Sequence, residues 1–415
     1  MSYLARLDIA APNDEWPLVR DWLINEPILF TAELRAFRPV LKTPVATLVS
    51  RYSDVQDVLR RHETFGNDLY APKQAPYWMP DNDTARHWRE KSVMKAILDK
   101  EDVPDIRAFV GTQTAQILGA GTGTLDLIPE IGREVPLRLV QSWFGFEGAD
   151  RDAMFTWSYW NQVDAFKNQP MDQHLVTDPG PDEIVRKRLE VSAEMRAFID
   201  QLVARRENEI AGGNPGRDPV TRLVQLQRSG SVRINRDLVI LNVGGLLIGA
   251  IETTSEAVAY ALSELTKRPE TLDAARSAAA EDDPAAFDGY VWEALRFRPI
   301  APYIFRKAIQ PARIGLGRDY ATDIATGEIV LASIQSAYFD PTAYDDPETF
   351  RTDRPFDQAF HFGKGLHDCL GRNIGRVMVP EILRQCLRQP DFAPTGPINF
   401  KGEPFPASYP VRWTV

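Results

Sequence analysis

The residues of this chain best suited to chemistry lie in a short glycine-rich run near its carboxyl terminus. The run reads Phe362-Gly-Lys-Gly-Leu-His-Asp-Cys369-Leu-Gly371, and it places a thiol in a glycine turn. The apolar spacing from Gly371 to Leu387 predicts a helix directly after that turn. The positive end of a helix dipole favours a thiolate over a thiol. Cys369 is therefore predicted to be a ligand, either to haem or to another metal.

Two other interpretations of Cys369 are weaker. A lone cysteine beside a turn is commonly a small buried core residue, which is what we expect for Cys386 in the following helix. Zinc would need a closed set of four ligands, whereas the chain has five histidines, two cysteines and no second cysteine pair.

A second group of candidate residues lies in the most apolar part of the chain, where the spacing predicts one long helix from about residue 237 to 267. Its middle reads Gly249-Ala250-Ile-Glu252-Thr253-Thr254. Each helical glycine costs about 1 kcal/mol, so close packing against a flat cofactor would explain Gly249. A mid-helix threonine bonds back to the carbonyl four residues earlier and loosens the helix. Beside it, Glu252 could feed a proton relay; Glu256, one turn later, is the competing donor.

A third group pairs a carboxylate with arginines. Glu293 and Arg296 share one helical face by their spacing, and Arg354 follows in a segment rich in proline and aspartate. By itself such a pair is most often a solvated surface contact.

The three groups together resemble one known family. The cysteine run is similar to the haem-binding signature of the cytochrome P-450 family, Phe-x-x-Gly-x-x-x-Cys-x-Gly, and matches it at every fixed position. The central run resembles the Ala/Gly-Gly-x-Asp/Glu-Thr motif of that family, with the small pair written Gly249-Ala250. The resemblance extends from the segment around His87 to the tail. It implies a mainly helical, roughly triangular fold with a small β-rich region, and a single domain over residues 1–415 without a fused reductase.

The resemblance also assigns roles to residues. It implies haem b between the central helix and the cysteine-ligand helix, with Cys369 as the axial ligand. Thr253 would guide protons, with Glu252 feeding it, and Glu293, Arg296 and Arg354 would form a structural triad under the cysteine loop. Further cofactor contacts would come from Phe362, Gly363, Leu370, Gly371, Gly249 and Ala250, and the propionates would be held by His87, Lys91, Arg306 and His367. Lys91 stands where the family usually has arginine, so a point charge replaces a bidentate fork.

The activity implied is that of a monooxygenase, which inserts one oxygen atom from O2 into an apolar organic substrate by hydroxylation or epoxidation. Electrons would come from a ferredoxin and an NAD(P)H-dependent ferredoxin reductase. Two rivals stay open: a haem-thiolate hydroperoxide isomerase or dehydratase, and a non-catalytic haem sensor. Candidate pocket walls, each of which could equally be ordinary core, are Tyr77, Trp78, Leu246, Ile248, Ile304 and Phe305.

Composition narrows the class of protein further. The 415 residues carry a net charge of −10, which argues against a nucleic-acid partner because phosphate contacts need concentrated positive charge. Two cysteines are too few for a disulfide framework and favour a reducing compartment. The apolar run 238–251 is too short to span a bilayer, and the amino terminus shows no signal or anchor pattern. We therefore expect a soluble, cytoplasmic enzyme that does not bind membranes.

Overall fold

The computed structural model describes residues 1–74, 82–172 and 179–415. These residues form two compact units. Unit 1 contains residues 1–74, 82–84 and 293–369, and unit 2 contains residues 85–172, 179–292 and 370–415. The cysteine loop and the glutamate–arginine triad belong to unit 1, whereas the central helix belongs to unit 2.

Helices dominate the described residues, as the periodicity predicts. They are α1 (Tyr3–Leu7), α2 (Pro12–Asn25), α3 (Pro27–Phe37), α4 (Tyr52–Arg60), α5 (Ala71–Gln74), α6 (Thr84–Ile97), α7 (Val103–Ala120), α8 (Glu134–Ser142), α9 (Arg151–Gln162), α10 (Pro181–Ala211), α11 (Pro219–Arg228), α12 (Arg236–Ile248), α13 (Glu252–Thr266), α14 (Pro269–Ala280), α15 (Ala285–Phe297), α16 (Ile334–Ala337) and α17 (Arg372–Leu387). Short 3-10 turns cover Lys100–Asp102 and Phe356–Gln358, and π-helical turns cover Ile128–Arg133 and Val163–Lys167.

The strands are short. They are β1 (Val40–Lys42), β2 (Thr47–Val49), β3 (Phe65–Gly66), β4 (Thr124–Asp126), β5 (Ile304–Ala308), β6 (Ala312–Ile314), β7 (Thr322–Ile324), β8 (Ile329–Ala332), β9 (Ala393–Pro394) and β10 (Pro410–Arg412). Unit 1 holds a five-stranded sheet in the order β1-β2-β8-β5-β3 and the β6-β7 hairpin. Unit 2 holds the sheet β4-β10-β9, in which the tail pairs with residues 124–126.

The sheet of unit 1 fixes the position of β5. Strand β5 pairs antiparallel with β8, with Phe305 opposite Leu331 and Arg306 opposite Val330. Many apolar residues of this unit form one cluster, which includes Val49, Phe65 and Phe360. Because β5 is paired on both sides, its side chains are held in a defined register.

The central helix differs from the sequence prediction. We predict one helix over about 237–267, whereas the structure ends α12 at Ile248 and begins α13 at Glu252. Taken together, residues Arg236–Thr266 are long and apolar enough to cross a membrane, but 61% of their most apolar window is buried inside the protein. That burial fits a core helix of a globular protein.

Candidate functional site

The cysteine loop of unit 1 is a tight glycine turn. The amide of Cys369 donates to the carbonyl of Phe362 at 2.8 Å, which closes the loop. Gly363 and Gly365 have positive φ angles of 71° and 79°, a region that costs other residues strain. A Cβ on Gly365 would lie 2.6 Å from the carbonyl oxygen of Leu59. The loop can therefore follow this path only with glycine at position 365. Cys369 is exposed.

The helix predicted after the cysteine is α17, which begins at Arg372 with Gly371 as its N-cap residue. Leu370 and Gly371 alone separate the thiol from the helix start. The first amides of a helix have no partner within the helix. This placement suits a thiolate, because those amides and the helix dipole favour negative charge.

Glu293, Arg296 and Arg354 form one buried network in unit 1. Arg296 donates to both carboxylate oxygens of Glu293, from Nε at 2.9 Å and from Nη2 at 2.8 Å. Arg354 adds a third contact from its Nε, at 3.2 Å. The Glu293 and Arg296 side chains are only 3% and 2% exposed. The bidentate geometry is the strong form of a charge-assisted pair.

The network also holds backbone of the segment that leads to the cysteine loop. Arg296 donates to the carbonyl of Tyr338 at 2.8 Å, and the amide of Arg351 donates to Glu293 at 3.0 Å. Arg354 donates to the carbonyl of Thr349 at 3.2 Å. A single carboxylate thus organises residues 338–354 of unit 1.

Arg306 is a buried cation on β5. Burial lowers the pKa of its guanidinium, and the phenol of Tyr70 partly opposes that effect. Within the described residues Arg306 makes no ion pair with a carboxylate; its one hydrogen bond goes to the carbonyl of Phe305 at 2.9 Å. A buried, always charged group of this kind calls for an anion, and a carboxylate of a bound cofactor is a suitable one.

His367 lies in the cysteine loop, and its ring packs edge-on against that of His62, with centroids 6.4 Å apart. The ring of His62 is held through Nδ1, which lies 3.2 Å from the carbonyl of Arg60. His62 is a neighbour that sequence reasoning did not find, because nothing local connects it to a loop three hundred residues later.

The break in the central helix has an identifiable cause in unit 2. Thr253 and Thr254 donate their hydroxyls to the carbonyls of Gly249 and Ala250, at 2.9 and 2.7 Å. The preceding carbonyl, that of Ile248, accepts from Gln162 Nε2 at 2.6 Å and from Ser158 Oγ at 3.2 Å. In a continuous helix this carbonyl would accept from the amide of Glu252.

Two side chains of α9 therefore take over a helix acceptor. Ser158 and Gln162 are both fully buried, so they are well placed to compete with the backbone for the Ile248 carbonyl. Sequence reasoning missed both residues, because a serine and a glutamine at helical spacing give no signal that their partner lies 86 to 90 residues further along.

Around the break, few residues of the central helix are accessible, and we call the side on which they lie the open face. Within residues 251–260, Thr253 alone is not buried. Gly249, one turn earlier, is exposed, and a Cβ there would meet only the carbonyl of Gly245, at 3.5 Å. Ala250 is half-buried. The small pair and the Thr253 hydroxyl thus border a space that no other side chain of this helix segment fills.

Glu252 is held in a buried ion pair. Its carboxylate lies 2.8 Å from Arg133 Nε, and Arg133 Nη2 donates to the second oxygen at 3.1 Å. The carboxylate is 1% exposed, and burial raises its pKa to about 7, while Arg133 acts in the opposite direction. A carboxyl that titrates near neutrality can both take up and release a proton at physiological pH.

His87 and Lys91 lie four residues apart on α6, and both are buried. Buried lysine is rare unless it is paired. The placement is compatible with the predicted propionate role, which stays a prediction.

The predicted wall residues fall in different places. Leu246 is buried in α12 and Ile248 is half-buried at its end. Ile304 is half-buried on β5, and Phe305 stacks on Tyr70 with ring centroids 4.6 Å apart. Tyr77 and Trp78 lie outside the described residues. The walls therefore remain a prediction.

A mainly helical fold and a thiol held in a glycine loop are both features of haem-thiolate proteins. The family model of cytochrome P-450 matches residues 149–400, which is more than half of the chain, and the chain belongs to this family.

Curated relatives and solved structures agree. A steroid C26-monooxygenase of Mycolicibacterium smegmatis is 26% identical, covering 89% of this chain and 86% of the relative. An erythromycin C-12 hydroxylase of Saccharopolyspora erythraea is 25% identical, covering 79% and 78%. A cytochrome P-450 of Bacillus megaterium solved with testosterone has a TM-score of 0.77 at 18% identity, covering 94% of this chain and 98% of that one. The fold is therefore the cytochrome P-450 fold, and the protein is a monooxygenase that uses haem b.

The residues present fit that cofactor. A thiol in a glycine loop can ligate the iron, and the buried Arg306 offers the cation that a haem carboxylate needs.

Proposed function

We propose that this monooxygenase inserts one oxygen atom of O2 into an apolar or partly apolar organic substrate, by hydroxylation or epoxidation. For a hydroxylation, substrate, O2, two electrons and two protons give the alcohol and one water. A separate ferredoxin and its NAD(P)H-dependent reductase supply the electrons. The observation that carries the proposal is that, within residues 251–260, Thr253 alone offers its side chain to the open face of the central helix.

The chemistry that the bound haem supplies is the reductive activation of dioxygen. Cys369 would hold the iron as a thiolate, and His87, Lys91, Arg306 and His367 would hold the propionates. Thr253 would orient and pass protons, because its hydroxyl is fixed by the bond to Gly249 and still has acceptor capacity. Glu252 supplies those protons, with a pKa of about 7 that is raised by burial.

The chemical class of the substrate follows from the apolar side chains and from the relatives. Leu246, Ile248, Ile304 and Phe305 are apolar or aromatic, as pocket walls for largely apolar molecules are. Relatives are named for steroid and erythromycin oxidation. We propose a bulky, mostly apolar substrate of that general kind. A screen of steroids and macrolides by the low-to-high-spin shift of the ferric haem tests this; a shift given only by short fatty acids would contradict it.

A reducing compartment suits the chain. Cys386 is fully buried and burial strongly raises the pKa of its thiol, so it is inert, and Cys369 is committed as a ligand. We propose a cytoplasmic location on this ground.

The decisive experiment separates a monooxygenase from its rivals. The reduced protein under carbon monoxide should show the red-shifted Soret band of thiolate ligation, and product should form only with NAD(P)H and a ferredoxin system. Turnover of a hydroperoxide alone, without electrons, would favour an isomerase. The absence of both reactions would favour a sensor.

The role of Thr253 has a test with a matched control. Thr253→Ala should keep the thiolate spectrum but divert electrons into hydrogen peroxide, lowering product per NAD(P)H by about a hundredfold, the low end of the range for loss of a proton-transfer group. Thr253→Ser should restore coupling. Thr254→Ala removes the same kind of back-bond from the next residue, which is buried, and should leave coupling unchanged. Full coupling in Thr253→Ala would remove the residue from the relay.

A further inference from the structure

The end of the π-helical turn Ile128–Arg133 packs unusually closely on α13. A Cβ on Gly132 would lie 2.7 Å from Ser255 Oγ and 3.2 Å from Ser255 Cα. Any larger residue would displace Ser255, so glycine permits this close approach, and the extra residue of a π turn changes the direction in which the following side chain points. The next residue, Arg133, is thereby brought against the first turn of α13, where Glu252 lies.

One nitrogen of Arg133 donates hydrogen bonds to two different partners. Its Nη2 donates to Glu252 Oε2 at 3.1 Å and to the carbonyl of Pro406 at 3.1 Å. Its guanidinium also lies over the ring of Phe155, 4.7 Å from the centroid. Arg133 is 11% exposed in its side chain. If Glu252 or the Pro406 carbonyl moves, Arg133 therefore cannot keep its contact with the one without weakening its contact with the other.

Pro406 belongs to the tail hairpin, which we define as residues 399–408. The hairpin is closed by the amide of Ser408 donating to the carbonyl of Asn399 at 2.9 Å and by the reverse bond at 2.8 Å. Glu403 accepts from the hydroxyl of Tyr159 at 3.1 Å, and Phe405 is buried against Tyr159 in an apolar cluster. The hairpin is thus held by α9 on one side and by Arg133 on the other.

We propose that Arg133 is a positioning residue that couples the tail hairpin to Glu252, so that displacement of residues 399–408 changes how Glu252 is held and how it delivers protons. This inference rests on the proposed function, in which Glu252 feeds Thr253. The coupling is reciprocal, as linkage requires: a change in the charge of Glu252 also changes the stability of the hairpin.

The charges around Glu252 make this coupling effective. Arg133 lowers its pKa, whereas Glu256 and Glu403 raise it, and burial raises it most. The phenol of Tyr159 is kept neutral because burial and Glu403 raise its pKa. Ionised Glu252 therefore depends on Arg133 as its counter-charge, and neutral Glu252 holds Arg133 less firmly.

The test uses hydrogen exchange of the ferric, haem-loaded protein and needs no substrate. The reporters are the amides of Asn399, Ala407 and Ser408, which form the hairpin bonds. Corrected for intrinsic rates, their protection should fall at least about fivefold from pH 8 to pH 6, the low end of typical coupling between sites. Glu252→Gln should abolish this pH dependence. Glu403→Gln, which alters a carboxylate of the hairpin itself, should keep the pH dependence, with its midpoint moved to lower pH because Glu403 raises the pKa of Glu252.

Variants of Arg133 give the second arm. Arg133→Lys keeps the charge but loses the fork that reaches two acceptors, and Arg133→Met loses both; each should raise hairpin exchange at pH 8. Arg138→Met removes an arginine that binds Glu134 and Gln113 instead, and should not. Equal protection at both pH values in the wild type, or the same pH dependence in Glu252→Gln, would overturn the proposal.

Failure of this inference can be told apart from failure of the proposed function. If Glu252→Gln retains tight coupling of electrons to product, the proton role of Glu252 is wrong, whatever the hairpin does. If that variant uncouples turnover but hairpin protection is indifferent to Glu252 and Arg133, only the positioning role is wrong.

Discussion

At the scale of single residues, Glu293 shows how much one buried carboxylate organises. It accepts from Arg296, Arg354 and the amide of Arg351 while only 3% exposed. Removing it leaves Arg296, itself 2% exposed, as an uncompensated buried charge. Removing one partner of a buried ion pair destabilises a protein strongly, whereas replacing the whole pair by apolar residues is often neutral.

We predict that Glu293→Ala lowers the free energy of unfolding by about 3–5 kcal/mol and abolishes haem incorporation. The control is Asp353→Asn, which breaks the exposed pair between Arg351 and Asp353 in the same segment and should leave the free energy of unfolding almost unchanged. Denaturant unfolding and the haem-to-protein absorbance ratio measure both. Full haem occupancy in Glu293→Ala would refute the structural role.

Glu252 gives a prediction about pH. Its pKa is raised from the ordinary 4.5 to about 7 by burial, so the folded protein binds more protons than the unfolded chain between these values. The free energy of unfolding therefore falls as pH rises from about 4.5 to about 7, and this contribution is fully present only below the lower value.

Glu252→Gln should remove this part of the pH dependence, because the amide does not titrate. The control is Glu264→Gln, which alters another buried carboxylate of α13, one that pairs with Lys267 and Arg268, and should retain the slope. Chemical unfolding at several pH values from 5 to 8 measures it. An unchanged slope in Glu252→Gln would show that the carboxyl is not protonated in the folded protein near neutrality.

What the sequence reveals about residues depends on distance along the chain. The bond from Thr253 to Gly249 was predictable because it spans four residues of one helix. The partner of Glu252 was not predictable, because Arg133 lies 119 residues before Glu252 in the chain. Arg133 also contacts Pro406, which lies 273 residues after Arg133. Only the folded chain brings these three together.

At the scale of elements, the interruption of the central helix is produced from outside it. Helical periodicity correctly predicts helix on both sides of residues 249–251, since apolar spacing continues through the break. It does not predict the break, because the Ile248 carbonyl is captured by Ser158 and Gln162 from α9.

We predict that Gln162→Leu returns the Ile248 carbonyl toward the amide of Glu252 and makes the helix more regular. The shorter bond to the Ile248 carbonyl is lost while that carbonyl gains the amide of Glu252, so the free energy of unfolding should fall by no more than about 0.5–1.5 kcal/mol, the net contribution of one hydrogen bond. Hydrogen exchange at the amides of residues 252–254 should slow relative to the rest of α13. Faster exchange there would show that α9 supports the break rather than causing it.

The cysteine loop yields a prediction about backbone and space together. Gly365→Ala places a Cβ at positive φ and 2.6 Å from the Leu59 carbonyl oxygen, a fixed backbone atom. Gly317→Ala, with φ of 76° and nothing within 4 Å, carries the strain of positive φ alone, about 1–2 kcal/mol. Gly365→Ala should therefore be less stable than Gly317→Ala and should lose haem, as absorbance and thermal unfolding will show. Equal losses of stability in the two variants would mean that the cysteine loop can shift to accommodate the added Cβ.

At the scale of the whole molecule, the distribution of charge bears on electron delivery. The chain carries a net charge of −10, so an acidic ferredoxin would be repelled by the protein as a whole. The helix that follows the cysteine loop starts with cations: Arg372 and Arg376 lie in the first two turns of α17, and Arg376 is exposed. Local positive charge on an acidic protein steers a negative partner to one place.

We propose on this basis that the ferredoxin docks at the start of α17, and we predict the outcome of reversing the charge there. Arg372→Glu combined with Arg376→Glu should lower the second-order rate of haem reduction by about 10- to 1,000-fold at low salt, within the range that electrostatic steering provides. The rate should also lose most of its dependence on ionic strength. Arg228→Glu, an exposed arginine at the end of α11, changes the net charge in the same sense and should alter the rate little. Stopped-flow reduction under carbon monoxide at several salt concentrations measures all three, and equal salt dependence in the wild type and the double variant would place the docking surface elsewhere.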